Sequence, residues 1–131
     1  MTIGQIEKNA SYLYCCRENF RTGIRLADGN RKNKEGYQKL VQIAKLYIDH
    51  NELDRFAGYL MEGHYYVQLW TAHLIVEYGQ PDSILKQRCL DEITKYAHHS
   101  PDRAVSAQEQ AWLEAYGRTN TTVPAENRSD T

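Results

Sequence analysis

Apolar residues at positions 3, 6, 10, 13, 20, 24 and 27 keep a period close to that of an α-helix, which predicts one long helix from Ile3 to Ala27 or two abutting ones. Thr2 can cap its start, Gly29 can end it, and Gly23 inside it offers a place to break. The polar stretch "DGNRKNKEG" follows, in which Asn30 or Asn33 could cap the next helix. From about Lys34 to Asp49 the pattern is clearly amphipathic: Tyr37, Leu40, Val41, Ala44, Tyr47 and Ile48 recur on one face, with Lys39, Gln42 and Lys45 opposite. After "HNE", a short helix from about Glu52 to Met61 gathers Leu53, Phe56, Ala57 and Leu60, and "EGH" turns the chain.

The helix expected from Tyr65 to Tyr78 is different in kind, because it is apolar nearly all round. Val67, Trp70, Thr71, Leu74 and Tyr78 line one face, and Tyr66, Leu69, His73 and Val76 the neighbouring one. Such a helix must be covered on several sides. Its end is marked by Gly79, expected to take the left-handed cap, and by Pro81, which cannot continue a helix. A looser stripe of Ile84, Leu85, Leu90, Ile93 and Ala97 runs from Pro81 and Asp82 to His98, and "HHSPDRAV" reads as a loop. Ser106 and Glu109 have the spacing of a capping box, which starts a last helix that should stop at Gly117. No segment alternates as a strand would. The expected fold is all-α: five to six short helices as stacked α-hairpins, arranged either as a HEAT-like right-handed superhelix or as a compact bundle. Residues 1–117 form a single helical domain and 118–131 a disordered polar tail.

Composition narrows the function. A chain of 131 residues with 41% apolar content can bury one core without metals or disulfides. Its net charge of −1 and pI near 6.5 argue against a phosphate backbone as partner, so no nucleic acid is expected. Charge is uneven, with seven Lys or Arg against three acids in residues 1–34 and nine against fourteen in residues 35–131. Cys15, Cys16 and Cys89 fit neither a disulfide framework nor a metal-ligand spacing, which points to a reducing compartment. With no leader pattern and no apolar run long enough to span a bilayer, a cytoplasmic protein with no membrane partner is expected.

Chemistry-bearing residues are present but scattered. His64 and His73, nine residues apart, point to different sides of a helix, the His-Glu-x-x-His arrangement is missing, and the adjacent His98 and His99 cannot share a ligand. The cysteines lie where no helix N-terminus or paired base would activate them. No phosphate-binding loop or nucleophile elbow occurs. No catalytic residue, metal or cofactor is therefore expected. The acids cluster more usefully: Asp49, Glu52, Asp54 and Glu62 bracket one short helix with Arg55 among them, followed by Tyr65, Tyr66 and Gln68. An anionic surface with aromatic anchors suits the steering and gripping of a basic protein, although a solvated face has the same composition. Ten tyrosines against two phenylalanines fit small-core edges and binding surfaces alike.

The stretch "LMEGHYYVQLWTAHLIVEYG" resembles the second helix of a HEAT-type repeat, with Val67, Thr71, Ala72 and Leu74 in the typical apolar and small positions. His64 stands where that repeat has an acid and Gln68 where it has an arginine, so the usual inter-repeat ion pair is missing. Taken with "ADGNRKNKEGYQKL", "YVQLWTA", "CLDEI" and "SAQEQAWLEAYG", residues 15 to 117 resemble a small bacterial HEAT-like family classed as a domain of unknown function, similar to immunity proteins encoded beside secreted toxins. That resemblance implies a protein that neutralises a cognate toxin, plausibly a nuclease, by direct contact. Asp49, Glu52, Asp54 and Glu62 would steer it, and Tyr65, Tyr66 and Gln68 would make contact. The alternatives are a helical adaptor or scaffold unrelated to toxins, and an enzyme using His64 or His73 with Glu62 or Glu77.

Overall fold

The computed structural model describes residues 1–25, 27 and 34–120, the last two by backbone alone. The expectations for Gly29, Asn30, Asn33 and residues 121–131 lie outside the described residues. Within them the chain is all-α, with seven α-helices and one short 3-10 segment and no strand. The extra helices come from two predicted elements that divide.

The first division is at Ala10. α1 (Ile3–Asn9) starts with a reciprocal cap, in which Thr2 Oγ1 accepts from the Gln5 N–H at 3.1 Å and Gln5 Oε1 accepts from the Thr2 N–H at 3.0 Å. It ends at Ala10, held in the left-handed region at φ 53°, and α2 (Ser11–Thr22) begins at once. That turn resets the apolar stripe. α2 buries Tyr12, Cys15, Cys16 and Asn19 rather than Leu13 and Phe20, and Phe20 stays 40% exposed. Gly23, at φ 82°, closes α2 by donating its N–H to Asn19 O, earlier than the Ala27 of the periodicity.

α3 (Glu35–Asp49) follows its predicted bounds closely and buries Tyr37, Leu40, Ile43, Ala44 and Tyr47. It packs tightly on α2 at Gly36, where an added Cβ would lie 2.0 Å from Asn19 Oδ1. Asn19, buried within α2, donates its Nδ2–H to Gly36 O at 3.3 Å, so its amide is held in the space a side chain would need.

The second division splits Glu52–Met61 into α4 (Leu53–Phe56) and the 3-10 segment Ala57–Met61. Gly58, a weak helix former, sits just past the change. Phe56 is fully buried, with ring centroids 5.1 Å from Tyr12, 5.2 Å from Tyr47 and 5.7 Å from Tyr59. Tyr65 and Tyr66, expected as the first turn of the next helix, are instead a left-handed pair at φ 53° and 60°.

α5 (Val67–Tyr78) therefore starts two residues later than expected and is the hub. It buries Val67 and Leu69–Ile75 and packs against α2, α3, the 3-10 segment and α6. Tyr12 of α2 reaches it through a 2.9 Å hydrogen bond to Thr71 Oγ1. Thr71 donates its own proton to Val67 O, so Tyr12 is the donor of that bond. Gly79 is not left-handed as expected. Its φ of −96° and ψ of −178° are open to any residue, and it is glycine because a Cβ would lie 2.9 Å from Ile75 O and 3.3 Å from Leu53 Cδ1.

α6 (Ser83–His99) is capped by Asp82, whose Oδ1 accepts from the Leu85 N–H at 2.8 Å. α7 (Arg103–Asn120) starts three residues before the expected box, because Asp102 Oδ1 takes the Ala104 and Val105 N–H groups at 2.9 and 3.3 Å. Ser106 instead donates to Ala97 O of α6, and Glu109 turns into the core. The helix runs through Gly117. α5, α6 and α7 pack each on the next, as do α1, α2 and α3 in the N-terminal half. No helix of the described residues is long and apolar enough to cross a membrane.

Candidate functional site: a buried carboxylate–histidine cluster and an open groove

Two arrangements bring chemistry-bearing side chains together. The first is buried. His73 is 2% exposed in the middle of α5, with Nδ1 3.0 Å from Glu77 Oε2 and Nε2 2.6 Å from Glu109 Oε1 on α7. His73 thus has two partners, both acids. Trp112 of α7 donates its indole N–H to the same Glu77 oxygen at 3.1 Å and sets its ring edge-on to the imidazole at 4.5 Å. Burial is the strongest single influence on His73 and pushes its pKa down. The hydrogen bonds and charges of Glu109 and Glu77 together outweigh it and hold the ring above its ordinary value. Glu109 Oε2 is buried with no hydrogen-bond partner among the described residues. With His73 and Glu109 both buried, the cluster ties α5 to α7.

The second arrangement is open. A groove of about 400 Å³ runs between α1–α2 and the turn before α5, with Leu13, Tyr14, Arg17, Glu62, His64 and Tyr65 on its walls. Two of its lining residues, Ala10 and Tyr65, are left-handed without being glycine or asparagine, a conformation that costs about 1–3 kcal/mol each where the surroundings enforce it. Tyr14 and Tyr65 are 61% and 44% exposed, and Phe20 packs beside Tyr65 with centroids 5.5 Å apart.

Of the predicted contact residues, Glu62 and Tyr65 meet in this groove. Tyr66 sits behind it, its ring against Phe20 and Tyr96 and under the Arg25 guanidinium. Gln68 is occupied internally, donating to Leu60 O at 2.9 Å and so closing the 3-10 segment. Asp54 lines a different, polar concavity with Ile48, Asn51, Leu53, Tyr78 and Gln80. Glu52 lies 3.7 Å from Arg55, while exposed Asp49 and Asp54 form no ion pair among the described residues. Arg55 is chiefly bound elsewhere, in a two-pronged pair with Glu7 at 2.6 and 2.8 Å that Tyr47 also joins. The hydrogen bonds from Arg55, opposed by modest desolvation and helped by Tyr47, lower the Glu7 carboxyl.

The sequence reading missed Tyr14, Arg17 and Glu7, and it missed the inward role of Glu109. Tyr14 and Arg17 are one turn apart on α2, but nothing in the linear order puts them opposite residues 62–65. The three cysteines are buried thiols. Desolvation raises all of them, Cys89 to about 12 despite the favourable charge of Arg88, so none is poised as a nucleophile. Among the described residues no group of three His, Cys, Asp or Glu side chains could hold a metal ion.

Compared with protein-family models, with curated proteins and with solved structures, the chain matches none.

Proposed function

We propose that the chain is a binding protein of the immunity type, acting in the cytoplasm, which neutralises a cognate basic toxin such as a nuclease by direct contact. The observation that carries this reading is the open groove in which strained, non-glycine backbone at Ala10 and Tyr65 accompanies two exposed tyrosines and apolar walls, lined also by Glu62, which forms no ion pair among the described residues. Backbone strain of this kind persists at ligand clamps, and tyrosines supply contact area at low entropic cost. Asp49 and Asp54, exposed and unpaired among the described residues, supply long-range attraction, with Glu52 contributing less because Arg55 faces it. The consecutive packing of α5, α6 and α7 supports a HEAT-like stack.

The test is coexpression with the product of the neighbouring gene. Expected are survival of the cells and a stoichiometric complex, both lost in Glu62→Lys/Tyr65→Ala while the variant's thermal unfolding stays close to the parent's. Reversing the charge of Asp49, Glu52, Asp54 and Glu62 together should slow association and weaken its salt dependence. A double variant that protects as well as the parent, or a neighbouring product that the chain ignores, rules the reading out.

A further inference from the structure

The geometry of the buried cluster requires a proton that a neutral histidine does not carry. Both ring nitrogens of His73 face carboxylate oxygens, at 3.0 and 2.6 Å. A neutral imidazole has one N–H, so with both carboxyls ionised one of the two contacts would set a nitrogen lone pair against an oxygen lone pair.

We propose that His73, Glu77 and Glu109 form a proton-operated latch that seats α7 on α5, closed while His73 is doubly protonated and loosened when one proton leaves. Among the described residues the bonded groups come from the two helices it joins: Glu77 from α5, and Glu109 with the indole N–H of Trp112 from α7. α6 packs on both and presents Lys86, which sits over the Tyr116 ring stacked on Trp112 and so lies one ring removed from the cluster. α3 presents Lys45 and Tyr37 to Tyr78, next along α5 from Glu77. α6 retains its own hold on α7 through Ser106 and Gln110 on Ala97 O, so opening frees the α5 face of α7 and not the whole helix.

The direction in pH is set by the linkage rule. A histidine whose folded pKa stands above its unfolded value of about 6.5 stabilises fully below that value, and the stabilisation is lost as pH rises through the folded pKa. The latch is therefore closed in mild acid and opens toward alkaline pH. Each unit by which the folded pKa exceeds the ordinary one corresponds to about a tenfold change in the opening equilibrium.

Two measurements on the full chain test this. Nitrogen-15 NMR of His73 at pH 6.5 should show both ring nitrogens protonated, and a single protonated nitrogen overturns the proposal. Amide exchange, corrected for its intrinsic pH dependence, should show residues 109–116 of α7 losing protection about tenfold or more between pH 6.5 and 9, relative to α3. The variant Glu109→Gln, which keeps the shape and removes the charge, should abolish that differential loss and leave His73 with one N–H. Parallel behaviour of α7 and α3 in the parent across that range also overturns the latch, whatever the variant does.

Discussion

The tie between α5 and α7 and the groove beside Tyr65 use the same kinds of residue in opposite ways. In the first, buried His73 and Glu109 are bonded to each other, and partly buried Glu77 and Trp112 complete the cluster. In the second, His64, Glu62 and Tyr65 surround an open concavity, and Glu62 forms no ion pair among the described residues. Burial forces polar groups to find partners inside the chain, and a surface leaves them free for partners outside it. Histidine and glutamate therefore say nothing about function by themselves. What decides is whether their hydrogen-bonding capacity is already used.

The contrast predicts a descending series of effects. Replacing His73 with alanine should be the most damaging, at about 3–5 kcal/mol, because Glu109 is left 1% exposed without its partner. Chemical denaturation measures this, and a loss below about 1 kcal/mol would show that the cluster is no tie. Gly36→Ala comes next, at about 1–3 kcal/mol, because the new methyl meets Asn19 Oδ1 at 2.0 Å and the amide must leave its bond to Gly36 O. Pairing it with Asn19→Ala should restore part of the loss, and a simple sum of the two effects would contradict the contact.

The groove residues should behave in the reverse sense. Ala10→Gly relieves the left-handed strain at φ 53° and should raise stability by up to about 1 kcal/mol in the same denaturation assay. A loss of stability there would mean that the turn is not strained. Outside the groove, Arg55→Ala should have the smallest effect of all, a melting shift near the limit of measurement at physiological salt, since its pair with Glu7 is solvent-exposed. That shift should shrink further as salt is added.

How much of this was legible beforehand depends on the range of the cause. α3 and the all-round apolar α5 were readable because their patterns repeat over many turns. The breaks at Ala10 and at Tyr65–Tyr66 were not, because alanine and tyrosine give no local sign of a left-handed backbone. At Gly79 the helix end is legible but its cause is not: the constraint is closeness to Ile75 and Leu53, not φ. Ser106 and Glu109 carried a genuine local signal that Asp102 pre-empted by offering its carboxylate four residues earlier. Of the seven proposed contact residues, Glu62 and Tyr65 share the groove, and Gln68 is used within the chain.

The sequence by itself determined the helical class, the central helix and most of the face that α3 buries, because periodicity and apolar content act within a few turns. Only the tertiary structure decided that His73 sits between Glu77 and Glu109, and that Tyr14 and Arg17 stand opposite Glu62 and Tyr65. Apart from His73 and Glu77, which are four residues apart on one helix, those meetings join residues about 36 to 50 positions apart. They depend on how helices cross, which short-range pattern does not encode.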